Sequence, residues 1–182
     1  MRRAAILCLV LLGAGAVTAH AVAIGGGVFG GASVPIVQDD NGTGSQFGVR
    51  VPVSVLHFLT VEPYFARSGL GQVEKEFGGR NYTRDGQDVT AFGINAMLGA
   101  AGLLTGFPLY PYAGIASHKL TRAGNDDRTE VGYNFGLGLG FGVPMGLSVH
   151  VRGELNLIVT GDTSRKFANA TLGVHYKLFS AP

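Results

Sequence analysis

The sequence predicts an all-β chain, an eight-stranded antiparallel up-and-down transmembrane β-barrel, and three observations carry that prediction. Apolar residues recur with period two along most of the chain. Glycine supplies 30 of the 182 residues. Charged residues make up only 14% against 46% hydrophobic, where soluble domains carry roughly 25% charge. The alternation is cleanest in a hairpin of Glu130–Val143, a turn at Pro144-Met145-Gly146, and Leu147–Ile158. In its first arm Val131, Tyr133, Phe135, Leu137, Leu139, Phe141 and Val143 interleave with Asn134 and five glycines. In its second, Leu147, Val149, Val151, Leu155 and Leu157 interleave with Ser148, His150, Arg152, Glu154 and Asn156. Successive side chains of a strand point to opposite faces, so each arm has one apolar and one small or polar face. Here the polar face holds Arg152 and Glu154 beside glycines, and the apolar face is unbroken. That suits a wall with lipid outside and a polar interior.

Residues 1–23 read as a secretory leader: Arg2 and Arg3 start it, Ala4–Val17 is its apolar stretch, and Ala21-Val22-Ala23 is the small-residue cleavage site. The apolar run is short of the ~20 residues a spanning helix needs. Residues 24–182 then form one barrel domain. Its only possible cysteine, Cys8, leaves with the leader, as do Arg2 and Arg3, so the net charge of +2 falls to zero. A basic nucleic-acid binder is excluded on that balance. In lipid, only helices and closed barrels satisfy the backbone's hydrogen bonds.

Taken in order, Ile24–Ile36 is the first strand. Its Gly25-Gly26-Gly27-Val28-Phe29-Gly30 matches G-x-G-x-x-G in letters alone, because no strand precedes it and no helix follows. Val37–Ser45 is a polar loop. Gln46–Val55 is the second strand, with Phe47, Val49, Val51, Val53 and Val55 on one face and Gly48, Arg50 and Ser54 on the other. Leu56-His57-Phe58 is a short turn. Leu59–Ser68 is the third strand, with Thr60, Glu62, Tyr64 and Ala66 sharing a face. Gly69–Gln87 is the longest polar stretch and reads as a solvated loop. Asp88–Leu98 is the fourth strand, with Thr90, Phe92, Ile94, Ala96 and Leu98 outward and Ala91, Gly93, Asn95 and Met97 inward. Gly99–Gly106 is an apolar connector. Phe107–Leu120 is the fifth strand, irregular near Pro108 and Pro111, with its facing left open. Thr121–Thr129 and Val159–Arg165 are polar loops on either side of the hairpin, and Lys166–Phe179 is the last strand. Long polar connectors therefore alternate with short or apolar ones, as they do in barrels with long outer loops and short periplasmic turns. Both termini would lie on the periplasmic side.

With these elements placed, the chain resembles the small eight-stranded bacterial outer-membrane β-barrels, the family that includes opacity-type surface proteins. The most specific match is Thr171-Leu172-Gly173-Val174-His175-Tyr176-Lys177-Leu178. It is similar to the family's carboxy-terminal assembly signal at Thr171, Gly173, Tyr176 and Leu178. Phe179-Ser180-Ala181-Pro182 extends beyond the point where many members end. Tyr110-Pro111-Tyr112-Ala113-Gly114 and Leu147–Glu154 also look like members' strands. The resemblance implies an integral outer-membrane protein in contact with outer-membrane lipid and the barrel-assembly machinery, with a structural or surface-interaction role. Any extracellular ligand would meet the loops.

Inside the barrel, the expected ion network comprises Arg50, Glu62, Arg152 and Glu154, with His175 and Lys177 adding positive charge. A turn centred on Met145 sets Arg152 opposite Gly138 and Glu154 opposite Gly136, so the glycines would make room for the charges. A turn centred on Leu56 sets Arg50 opposite Glu62. Unpaired buried charges are costly, so pairing is expected. The chain shows no cofactor motif, no metal-ligand spacing among its histidines and no G-x-S-x-G. Ser117-His118 is the one adjacent Ser/His pair in the barrel. It resembles the pair of lipid A-modifying barrels but lacks their His-x-Ser order, so no enzyme is expected. Two other readings stand beside the structural one: a small-solute pore, and a secreted lipocalin-like binding barrel. The latter's G-x-W cannot occur without Trp.

Overall fold

The computed structural model describes residues 23–36, 41–56, 58–99, 109–124, 126–160 and 163–180. Its strands are β1 (Ala23–Pro35), β2 (Gly42–Arg50), β3 (Val53–Leu56), β4 (Leu59–Gly71), β5 (Val73–Phe77), β6 (Arg80–Arg84), β7 (Asp88–Leu98), β8 (Leu109–Thr121), β9 (Arg128–Val143), β10 (Leu147–Thr160) and β11 (Thr163–Ser180). The sheet runs β11-β10-β9-β8-β7-β4-β2-β1, and β1 pairs with β11 to close it. β2 and β3 together form one stave, so the barrel has eight. The interruption falls at Val51-Pro52, where proline cannot donate to a ladder. Val51 N donates to Pro63 O (2.9 Å) and Gly25 N to Pro52 O (2.8 Å), which ties the break to both neighbours.

Closure fixes the tilt. A row of paired residues that starts at Ala23 passes through Ser54, Thr60, Met97, Tyr112, Gly136, Glu154 and Asn169, and returns to β1 at Ser33. The sheet thus meets itself ten positions further along β1. Such a stagger makes the strands lean by about 35–45° to the barrel axis. It must also be even, since a one-residue slip would turn every side chain to the wrong face. Apart from Met97, every non-glycine member of this row is polar, small or aromatic, and the row faces the interior.

The two faces are the reverse of a soluble sheet. Outward side chains are apolar and exposed, among them Val28, Phe92, Phe135, Leu137, Leu172 and Leu178. Buried inward ones include Arg50, Glu62, Asn95, His118, Asn134, His150, Arg152, Asn169 and His175. A lipocalin-like barrel would enclose an apolar calyx, whereas this lumen holds buried charges and hydrogen-bonded polar groups beside apolar members such as Phe29, Val89, Leu120, Ile158 and Phe167. Among the described residues no helix is long and apolar enough to cross a membrane.

The expected facing holds for the second, third, fourth and last strands and for the hairpin. β8, left open by the sequence, turns Tyr110, Tyr112, Ala116, His118 and Leu120 inward. It pairs residue for residue with β9 from Leu109 to Leu120, so the expected irregularity is absent from the described part. Pro111 causes no gap against β7, because that ladder ends at Met97–Tyr112. The expected connector Gly99–Gly106 lies outside the described residues apart from Gly99, as do Phe107, Pro108 and His57.

Three loop assignments are corrected. Gly69–Gln87 is not a plain loop: β4 runs on to Gly71, and β5 and β6 form a two-stranded ribbon above the barrel. Its turn is Gly78-Gly79, at φ +62° and +74°, the left-handed pair that a two-residue hairpin requires. In Val37–Ser45, β2 already begins at Gly42. Around Val159–Arg165 the strands continue until Thr160 pairs with Thr163.

The hairpin's glycines act by close approach. A Cβ at Gly138 would lie 2.2 Å from Tyr110 Cζ, and one at Gly136 would lie 2.3 Å from Tyr112 Cζ. At Gly142 a Cβ meets nothing within 4 Å. We expect Gly138→Val to destabilise the barrel by about 1–3 kcal/mol through overpacking, read as a lower urea midpoint of the folded, heat-modifiable band. Gly142→Ala should leave the midpoint unchanged, and an equal loss in both variants would contradict this packing.

Candidate functional site

The polar rows of the lumen are built on the register of β8, β9 and β10. Arg152 stands opposite Gly138 and Glu154 opposite Gly136, as the Met145-centred turn requires. On the other side of those glycines stand Tyr110 and Tyr112. Two rows result, Tyr110–Gly138–Arg152 and Tyr112–Gly136–Glu154. The space above each glycine is filled by a tyrosine ring instead of the charged side chain expected from sequence. Each tyrosine hydroxyl then meets the charge beyond: Arg152 Nε donates to Tyr110 OH at 2.7 Å, and Tyr112 OH donates to Glu154 Oε2 at 3.1 Å.

Arg152 reaches across the barrel. Its Nη1 and Nη2 donate to Glu62 Oε1 and Oε2 at 2.6 and 2.7 Å, a bidentate ion pair with both residues almost wholly buried. β10 and β4 are four staves apart in either direction round the sheet, so the pair spans the diameter. Asn95 Nδ2 adds a bond to Glu62 Oε1 at 3.2 Å.

The other charges are held separately. Glu154 has no cation on it; Tyr112, Asn134, Asn156 and Asn169 donate to its two oxygens at 2.8–3.1 Å. Asn134 Nδ2 also reaches Asn95 Oδ1 at 2.8 Å, which links the Glu154 cluster to the Glu62 pair. Arg50 does not stand opposite Glu62. The β3–β4 ladder pairs Ser54 with Thr60, two positions on from the register of a turn centred on Leu56, and Arg50 faces Tyr64. Its guanidinium lies 3.6 Å over the Phe29 ring and donates to Thr171 Oγ1 at 3.2 Å. His175 stacks on His150, with ring centroids 4.1 Å apart. Lys177 sits at the rim, beside Pro52 and His175 on the wall of a small void.

Of the six lumen residues named from sequence, only Arg152 and Glu62 form an ion pair. Sequence reasoning missed Tyr110, Tyr112, His150 and all four asparagines as site residues. The tyrosines were legible in principle, since a large inward residue must sit beside a glycine wherever a narrow wall is to pack. Ser117 and His118 are neighbours in sequence only. Ser117 lies on the outer wall between Phe92 and Val131, whereas His118 is buried inside, edge-on to Phe167. Among the described residues no group of three or more His, Cys, Asp or Glu is placed to hold a metal ion. Outside the wall, Lys119 Nζ lies 2.7 Å from Asp127, and hydrogen bonds from Lys119 and then Thr121 hold the Asp127 carboxyl below its ordinary value.

A closed antiparallel barrel with an apolar outer wall and a polar lumen defines an integral transmembrane β-barrel. The chain belongs to the outer membrane protein beta-barrel domain family, whose model matches residues 4–177, and it is therefore an integral outer-membrane protein. Neisserial surface protein A is similar in fold at 14% identity, with a TM-score of 0.59 over 88% of this chain and 100% of that one. The N-terminal β-barrel domain of Pseudomonas aeruginosa OprF is 14% identical, with a TM-score of 0.53 over 86% and 97%. A major outer membrane protein from Thermus thermophilus is 14% identical, with a TM-score of 0.55 over 85% and 99%. No curated protein matches the sequence.

Breaking a buried ion pair by removing one partner costs about 3–5 kcal/mol. Glu62→Gln and Arg152→Met should each lower barrel stability by an amount in that range, measured by urea unfolding in micelles. The double variant should recover most of the loss, because neither charge is then stranded. Additive losses in the double variant would show that the two groups do not depend on each other.

Proposed function

We propose that this chain is a closed structural barrel of the outer membrane whose loop end serves surface interaction, with no catalytic activity and no bound cofactor. The Arg152–Glu62 pair across the full diameter is the observation that carries this reading. Among the described residues, one void beside Met97 and His150 measures about 20 Å3 and another beside Leu120 and Ile158 about 10 Å3, each room for about one water. The separation of Ser117 and His118 onto opposite faces supports a non-enzymatic role. The β5–β6 ribbon, with Tyr82 exposed on it, is the element best placed to meet an extracellular partner.

On this reading the leader 1–23 is removed, with the cut falling at the first residue of β1. The last strand, through Thr171, Gly173, Tyr176 and Leu178, is the one read by the barrel-assembly machinery. Both termini and the Pro144–Gly146 turn face the periplasm, and the ribbon faces outside. Planar-bilayer recording of the refolded barrel at neutral pH should show no steady conductance; a stable open channel would favour the small-solute pore instead. Orientation has its own test, made simple because Cys8 is the one cysteine in the sequence. A membrane-impermeant maleimide should label Thr83→Cys on intact cells and Met145→Cys only after permeabilisation. The opposite pattern would invert the barrel.

A further inference from the structure

Among the described residues, His150 is the one histidine on a hydrogen-bond chain that ends on the transverse ion pair. A guanidinium has no acceptor, so Arg152 Nε donates to the Tyr110 hydroxyl, 2.7 Å away. That hydroxyl carries a single proton, and His150 Nδ1 lies 3.0 Å from it. The tautomer that gives every member of the chain a partner has the Tyr110 hydroxyl donating to Nδ1 and the His150 proton on Nε2, donating to Ser148 Oγ at 2.8 Å. The chain then runs from Arg152 to Tyr110 to His150 to Ser148. A second proton on His150 must enter at Nδ1. Two N–H groups, from His150 and Arg152, then point at the Tyr110 oxygen, and the hydroxyl proton loses its acceptor.

The surroundings add to this conflict. The charged or titratable groups that face His150 are His175 and Lys177 from β11, Tyr110 from β8, Arg152 on its own strand, Arg50 from β2 and Glu62 from β4. β9 presents Gly138 and Gly140 there, β7 presents Met97, and β3 presents Ser54. Neither lumen carboxylate is free to receive the new charge: Glu62 is bidentate with Arg152, and Glu154 already has four donors. His175 lies stacked at 4.1 Å on the other side of the ring.

We propose that His150 is a proton sensor of the lumen, whose protonation at Nδ1 breaks the hold of Tyr110 on Arg152 and loosens the ion pair across the barrel. This rests on the reading that the lumen is closed at neutral pH. Histidine is the side chain suited to taking up a proton on acidification without loss of the fold's other charges.

The test is planar-bilayer conductance of the refolded barrel at about pH 7.5 and about pH 3, for the native chain, His150→Asn and His175→Phe. The native chain should be closed at the higher pH and rise by roughly tenfold or more at the lower one. Asn keeps an acceptor near the Nδ1 position and takes up no proton, so His150→Asn should stay closed at both. His175→Phe keeps a stacked ring and should retain the acid response. A closed native chain with no acid response overturns the proposal alone, as does a response that survives in His150→Asn or disappears in His175→Phe. A native chain already open at neutral pH overturns the closed-lumen reading and the sensor together. If a variant fails to give a heat-modifiable folded band, the imidazole 15N spectrum of the native chain decides. Nδ1 unprotonated at neutral pH supports the proposal, and Nδ1 carrying the proton overturns it.

Discussion

The structure depends on one constraint: an eight-stave wall leaves a lumen only as wide as the side chains that fill it. Every inward group must find its partner inside that width. Large and small residues are therefore matched along rows, tyrosine against glycine, and charges are distributed so that none lies idle. One pair is joined directly across the diameter, one carboxylate is held by neutral donors, and one guanidinium rests on an aromatic face. The charges balance, two guanidinium groups against two carboxylates, before the rim lysine is counted.

The same constraint explains the outer face. Because the polar residues are used inside, the outside is left with what lipid accepts, and the exposed Leu, Val, Phe and Tyr side chains form a continuous apolar wall. No edge strand remains, so the backbone needs neither water nor a partner chain along its length. The Pro52 interruption is tolerated because neighbouring ladders reach over it on both sides.

Much of this was legible in the sequence, and the reasons are physical. A period of two fixes which residues face in, so Arg50, Glu62, Arg152 and Glu154 were assigned inward without coordinates. Register was legible where the turn is tight, and the hairpin placed Arg152 against Gly138 correctly. It was not legible between the second and third staves, where a turn centre misplaced by one residue moves every partner by two and sets Arg50 against Tyr64 instead of Glu62. Which charges meet across a lumen is set by the stagger of the closed sheet, a property of all the registers together. The β5–β6 ribbon was overlooked although Gly78-Gly79 marks its turn, because its charged residues resemble a solvated loop.

The seam between β1 and β11 bears on how such a chain reaches its fold. Ile24 pairs with Phe179, so the contact that closes the barrel joins residues more than 150 positions apart in the sequence. Loop-closure entropy opposes such distant pairing until the strands between have formed. An incomplete chain has two open edges, both lined with unpaired backbone and flanked by apolar side chains, and these are features that promote aggregation. Closure is therefore a late and cooperative event, and the last strand to be synthesised is the one that removes both edges at once.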